Sequence, residues 1–213
     1  MLRYLATILT AAVFAALAMV TPIVPIAAAT TAAAEDVVTE FHDRLIEVWQ
    51  QSEVLTPQQR YERLEPAVTA AFDLTSMIRV ASGAAWARAT EAERDRLQES
   101  FTRFTVANYV DRFTGYAGQR FEVVAVKAGP RDLITVEARI VRPRHASVPL
   151  SYVLSTDGVR PQVVDVIFKG VSEVAVRRSD FRTVLRQGGP DGLAERLNEQ
   201  ATALLERATP GRT

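Results

Sequence analysis

The hydrophobic pattern of this chain predicts an α+β fold: helices first, an antiparallel sheet of about four strands next, and helices again at the end. Three observations carry that prediction. From Val37 to Phe113 apolar residues recur at helical spacing. After Gly115 and Gly118 the period drops to two and holds through four short runs. Beyond Ser179 it returns to 3.6, with Leu193, Leu197, Leu204 and Leu205 on one side of the last segment.

The elements follow in order. Met1-Leu2-Arg3 gives a positive start, Tyr4 to Val20 is apolar, and small residues lead to Ala27-Ala28-Ala29 and Ala32-Ala33-Ala34. That order predicts a secretory signal peptide over residues 1–34, cleaved after Ala29 or Ala34, and therefore a periplasmic protein. Pro22 and Pro25 would interrupt a spanning helix at its exit. Residues 35–208 read as one domain and 209–213 as a C-terminal tail. Val37, Val38, Phe41, Leu45, Val48 and Trp49 form one stripe, opposite Glu40, Asp43, Arg44 and Glu47, as expected of an amphipathic helix. Thr56-Pro57 starts a second helix, which Pro66 should end or bend. A short third helix from Leu74 to Ala81 is capped by Asp73 and stopped near Gly83. Thr90 and Glu93 have capping-box spacing and open the longest helix, running to about Phe113. Leu97, Phe101 and Phe104 lie on one face of it, and Val106, Tyr109, Val110 and Phe113 on another. Such a helix either bends near Thr105 or is buried on different sides in its two halves.

Phe121–Ala128, Leu133–Val141, Val148–Leu154 and Val163–Lys169 are the predicted strands. Each carries one apolar face, and short turns join them, as in an antiparallel meander covered on one side. Asp165 alternates to the polar face beside Lys169, where a cross-strand ion pair is expected. A helix from Ser179 to Arg186, closed by Gly188-Gly189-Pro190, and one last amphipathic helix complete the chain.

Composition narrows the function. The 213 residues contain 25 basic and 25 acidic side chains and no cysteine, so no disulfide is available and no basic block invites nucleic acid. His42 and His145 are the only histidines, and neither has a second ligand at metal spacing. No GxSxG elbow is present. An enzyme is not expected, and neither is a cofactor or a metal.

The stretch from Val148 to Phe181 carries the strongest family signal. Its order is VxYxL, a Gly-containing turn, VxDVxxxGVS and RxxF. Upstream, Phe72-Asp73, Met77, Arg79, Gly83 and Trp86 give FD…M…R…G…W, and Phe113–Gly118 follows the long helix. Together these resemble the MlaC family of periplasmic phospholipid-binding proteins, also described as toluene-tolerance auxiliary components of a lipid ABC transport system. A hopanoid-associated branch, HpnM, shares the pattern. Two positions differ from it: Arg160-Pro161 follows the hairpin glycine, and Glu173 follows Ser172 where an apolar residue is common.

The resemblance implies a twisted sheet with helices over its concave face, forming a cone-like pocket for acyl chains. It implies a soluble, monomeric carrier with phospholipid or a hopanoid as cargo, and with an inner-membrane ABC lipid transporter, its lipid-binding ring subunit and an outer-membrane lipoprotein complex as partners. Candidate lining residues on the apolar faces are Leu74, Met77 and Ile78; Leu97, Phe101, Phe104 and Tyr109; and Val136, Ala138, Tyr152, Val164, Val166 and Phe168. Ala138, small between larger neighbours, suggests space left open. Arg142-Pro143-Arg144-His145 is a candidate basic rim, able to meet a lipid phosphate, a membrane surface or an acidic partner. A ligand-free periplasmic adaptor is the main alternative, and an enzyme using the same pocket would need a carboxylate or histidine facing it, which the predicted inner face lacks.

Overall fold

The computed structural model describes residues 26–209. Residues 1–25 of the expected signal peptide and 210–213 of the tail lie outside that range. Six helices and five strands follow one another: α1 (Ile26–Gln50), α2 (Pro57–Ala71), α3 (Leu74–Ser82), α4 (Ala84–Arg88), α5 (Glu91–Arg112), β1 (Arg120–Ala128), β2 (Leu133–Arg142), β3 (His145–Ser155), β4 (Gln162–Phe168), β5 (Val171–Ser172) and α6 (Glu173–Arg207). The strands form one antiparallel sheet in sequential order, so the fold is α+β with helices packed on one face.

The caps explain where the helices start. Thr56 and Gln59, then Thr90 and Glu93, make reciprocal capping boxes. Asp73 accepts from the Ser76 amide at 2.8 Å, and Gly83, with φ 56°, ends α3 in a conformation that suits glycine. Pro66 does not stop α2. The helix continues to Ala71 because Val68 and Ala71 beyond the proline are buried, and that burial offsets one missing backbone donor. Buried Arg60 then ties α2 to two helix ends, donating to the carbonyls of Val110 in α5 and Ala208 after α6. A cation at two helix C-termini is electrostatically favourable.

Of the two geometries expected for the long helix, the second holds. α5 is one continuous helix packed against α2, α3 and α6, which bury Leu97, Phe101 and Phe104 as well as Val106, Ala107 and Val110. The last helix starts earlier than its sequence suggests. Ser172, not Ser179, is its N-cap, accepting from the Ala175 amide, and the helix turns a corner at Gly189 (φ 64°, ψ −161°) before Pro190. Asp165 makes no ion pair with Lys169. Its carboxylate accepts from the Val166 and Val174 amides and the Ser172 hydroxyl, locking β4 and β5 to the start of α6.

Register decides which strand residues reach the core. Val136 pairs with Tyr152, Tyr152 with Val166, and Ile134 with Leu154. Between Tyr152 and Leu154 the register slips: Val153 faces Asp165, yet Leu154 faces Val163. Val164 is the extra residue of a β-bulge. In consequence Val163 takes the core position, only 1% exposed, and bonds through its carbonyl to the Asp73 amide at the head of α3.

Candidate functional site

The inner face of the sheet is covered unequally. At one end Ile134, Val136, Leu154 and Val163 are buried with Val38 and Leu45 in a filled core. At the other end the helices stand off and leave a cavity of about 500 Å³, within the range of small-ligand pockets. Its sheet wall is Ile140, Val148, Leu150, Tyr152, Val166 and Phe168. α5 supplies Phe101, Phe104 and Tyr109, α3 supplies Met77 and Ala81, and Trp49, Phe72 and Phe113 add further rings.

The aromatic walls are held by one another. The rings of Phe41 and Tyr109 meet edge to face with centroids 5.1 Å apart, and Trp49 meets Phe113 at 4.9 Å. The Trp49 indole N–H donates to the Thr114 carbonyl, which fixes its plane. Tyr152 shares a hydrogen bond of 2.9 Å with His42 Nε2, and Phe121 stacks on that imidazole at 4.1 Å. Burial pushes the His42 pKa down to about 3 and raises those of Tyr152 and Tyr109. All three are therefore uncharged at neutral pH, and the interior carries polarity but no net charge.

Charge is confined to the mouth. Arg112, Arg142 and Arg177 line it together with Glu173, Asn108 and Gln119. Glu173 lies between two guanidiniums, 3.6 Å from Arg112 and 3.5 Å from Arg177. A larger groove of about 820 Å³ runs between α1 and α2, but Glu40, Asp43, Arg44, Glu47, Glu62 and Arg63 line it. Such walls suit water better than hydrocarbon.

Seven of the expected lining residues meet at the cavity: Met77, Phe101, Phe104, Tyr109, Tyr152, Val166 and Phe168. Six do not. Leu74, Ile78, Leu97, Val136 and Ala138 are buried in the filled core, and Val164 is displaced by the bulge. Ala138 marks no open space; it sits opposite Val123 and Leu150 in a packed layer, 4% exposed. The inner face was expected to present no carboxylate or histidine to the pocket; Glu173 lines the mouth from the start of α6, whereas His42 lies behind Tyr152 and does not line the cavity. Ile140, Val148 and Leu150 were legible from their strand alternation, and Phe113 from its helix. Nothing in the local pattern marks Arg177. Among the described residues no group of three His, Cys, Asp or Glu side chains is placed to hold a metal, and no helix is long and apolar enough to cross a membrane.

Sheet, bulge and overlying helices define an α+β protein with an apolar cavity between its layers and cations at the mouth. The family profile of the MlaC protein matches residues 39–199, and the chain belongs to that family. The same fold is found in a phospholipid-binding protein from Ralstonia solanacearum solved in complex with a phospholipid, with a TM-score of 0.69 and 18% identity over 82% of this chain and 98% of that one. No curated protein matches the sequence.

Proposed function

We propose that this protein is a periplasmic lipid carrier that binds the acyl chains of a phospholipid in the cavity and moves it between membrane complexes without covalent chemistry. The observation that carries the reading is the division of the cavity into an uncharged aromatic interior and a charged mouth. Tails need the first. At about 0.8 kcal/mol per methylene, roughly thirty methylenes amount to some 25 kcal/mol of transfer from water, so a carrier must nearly match the bilayer to extract and release its cargo. Family membership and the phospholipid held by the Ralstonia protein support the same reading. The transporter, its ring subunit and the outer-membrane lipoprotein complex are the partners this role requires.

Export follows from the same proposal. Both expected cleavage points fall within α1, and Ala34 is fully buried in the core. Cleavage after Ala29 keeps that contact, and we expect Thr30 as the mature N-terminus, read by N-terminal sequencing of exported protein.

Mass spectrometry of lipid extracted from purified protein tests the function. A stoichiometric phospholipid is the expected result. A hopanoid would redirect the cargo, and a ligand-free protein that still binds its transporter would replace the carrier with an adaptor.

A further inference from the structure

The geometry points to an anion-recognition site at the cavity mouth, in which Arg112, Arg142 and Arg177 hold the phosphate of a two-tailed lipid. This rests on the carrier reading and adds which headgroups the site selects. Three guanidiniums face one carboxylate there, an excess of positive charge that one phosphodiester would reduce. The existing pairs are loose. Glu173 sits 3.6 Å from Arg112 Nη1 and 3.5 Å from Arg177 Nη2, and Asp180 is 3.8 Å from Arg177 Nη1. Charge-assisted bonds in good geometry are about 2.7–2.9 Å.

Arg177 is the informative member. Its side chain is 22% exposed, its guanidinium lies 4.8 Å above the Phe104 ring that also lines the cavity, and burial disfavours its charged form. A cation held this far from water with only distant partners favours a nearby anion. Arg142 is oriented by two bonds to the Ala146 carbonyl, at 3.0 and 2.7 Å, from the tip of the β2–β3 hairpin. The start of α6 is not a competing anion site, because Asp165 and Ser172 already accept from its first amides. Lipid seated with its tails on Phe104 and Phe168 would place its glycerol end at these arginines.

The test compares two lipids with the same tails, dioleoylphosphatidylglycerol and dioleoylglycerol, offered in detergent to delipidated full-length mature protein and read by native mass spectrometry. Wild type should prefer the phosphate-bearing lipid by about tenfold or more. The preference should shrink as salt rises from about 0.01 M to 1 M, where the screening length falls from about 30 to 3 Å. R112Q and R177Q should each lower it, weakening phosphatidylglycerol binding more than dioleoylglycerol binding. Because R177Q alters a mostly buried position, R112Q at the half-exposed position and the salt series stand without it. Equal affinity for the two lipids, or a preference insensitive to salt and to R112Q, overturns the arginine site but leaves the carrier. Binding of neither lipid overturns the carrier reading and this one with it.

Discussion

The two ends of the sheet's inner face are built from the same residue types and meet different fates. Ile134, Leu154 and Val163 at one end are at most 4% exposed and packed beneath helices. Ile140, Val148 and Phe168 at the other are only partly buried and look into a cavity. Strand alternation is identical in both, so alternation cannot be what separates them. The difference comes from what lies above: core side chains cover the first end, whereas at the second the rings of Trp49, Phe101, Phe104 and Tyr109 stand around an open space. An apolar strand face specifies its need for cover and leaves open whether side chains or a ligand provide it.

The largest effect should come from truncation at the filled end. Leu154→Ala removes a fully buried side chain from a close-packed layer and should cost about 2–5 kcal/mol, whereas Leu150→Ala, beside an existing cavity, should cost less than half as much. Urea unfolding of the two variants measures the contrast, and equal losses would mean that the ends are packed alike. Overpacking gives the converse. Ala138→Trp should destabilise by about 1–3 kcal/mol or more, because the layer above Ala138 is full. Ile140→Trp has the cavity to enter, so it should stay within about 1 kcal/mol of wild type while lowering bound lipid.

These pairs also mark how far the sequence could be read. Element order, the Thr90–Glu93 capping box, the meander and the Thr56 and Asp73 caps follow from local rules that each involve a few neighbouring residues. Ala138 and Val164 did not, since the first depends on how elements distant in the chain pack over the sheet and the second on a one-residue slip between strands. Arg177 was illegible for a similar reason: a lone arginine in a helical stretch reads as solvated until Phe104, from another helix, is placed beneath it. The family resemblance supplied the pocket, and only the register and the helix positions supplied its walls.

An effect of intermediate size ties the two ends together through His42, which reaches from α1 to Tyr152 on the cavity wall. Burial lowers its pKa to about 3 in the folded chain, against about 6.5 when unfolded. The unfolded chain therefore binds the extra proton between those values, so the stability is intact above pH 6.5 and is lost as pH falls through that window. Between pH 6.5 and 5 the loss should be about 2 kcal/mol, and His42→Gln should flatten it. Unfolding midpoints that fall equally in both proteins would assign the acid sensitivity to other groups.

The smallest effect should lie on the opposite face of the same strands. Lys127 on β1 and Glu137 on β2 form an ion pair of 2.6 Å, with side chains 61% and 36% exposed. Water screens such a pair, and its side chains lose rotamer freedom to hold it, so exposed pairs contribute at most about 1 kcal/mol. Lys127→Ala should change stability by about 0.5 kcal/mol or less and leave lipid occupancy untouched. Glu137 pairs across the strands with Ser151, one residue from the Ala138–Leu150 pair that sits at the boundary between filled and open ends. If removing its partner on the outer face altered bound lipid, the sheet would have to transmit strain from one face to the other, and the two ends could not be treated as independent halves of one surface.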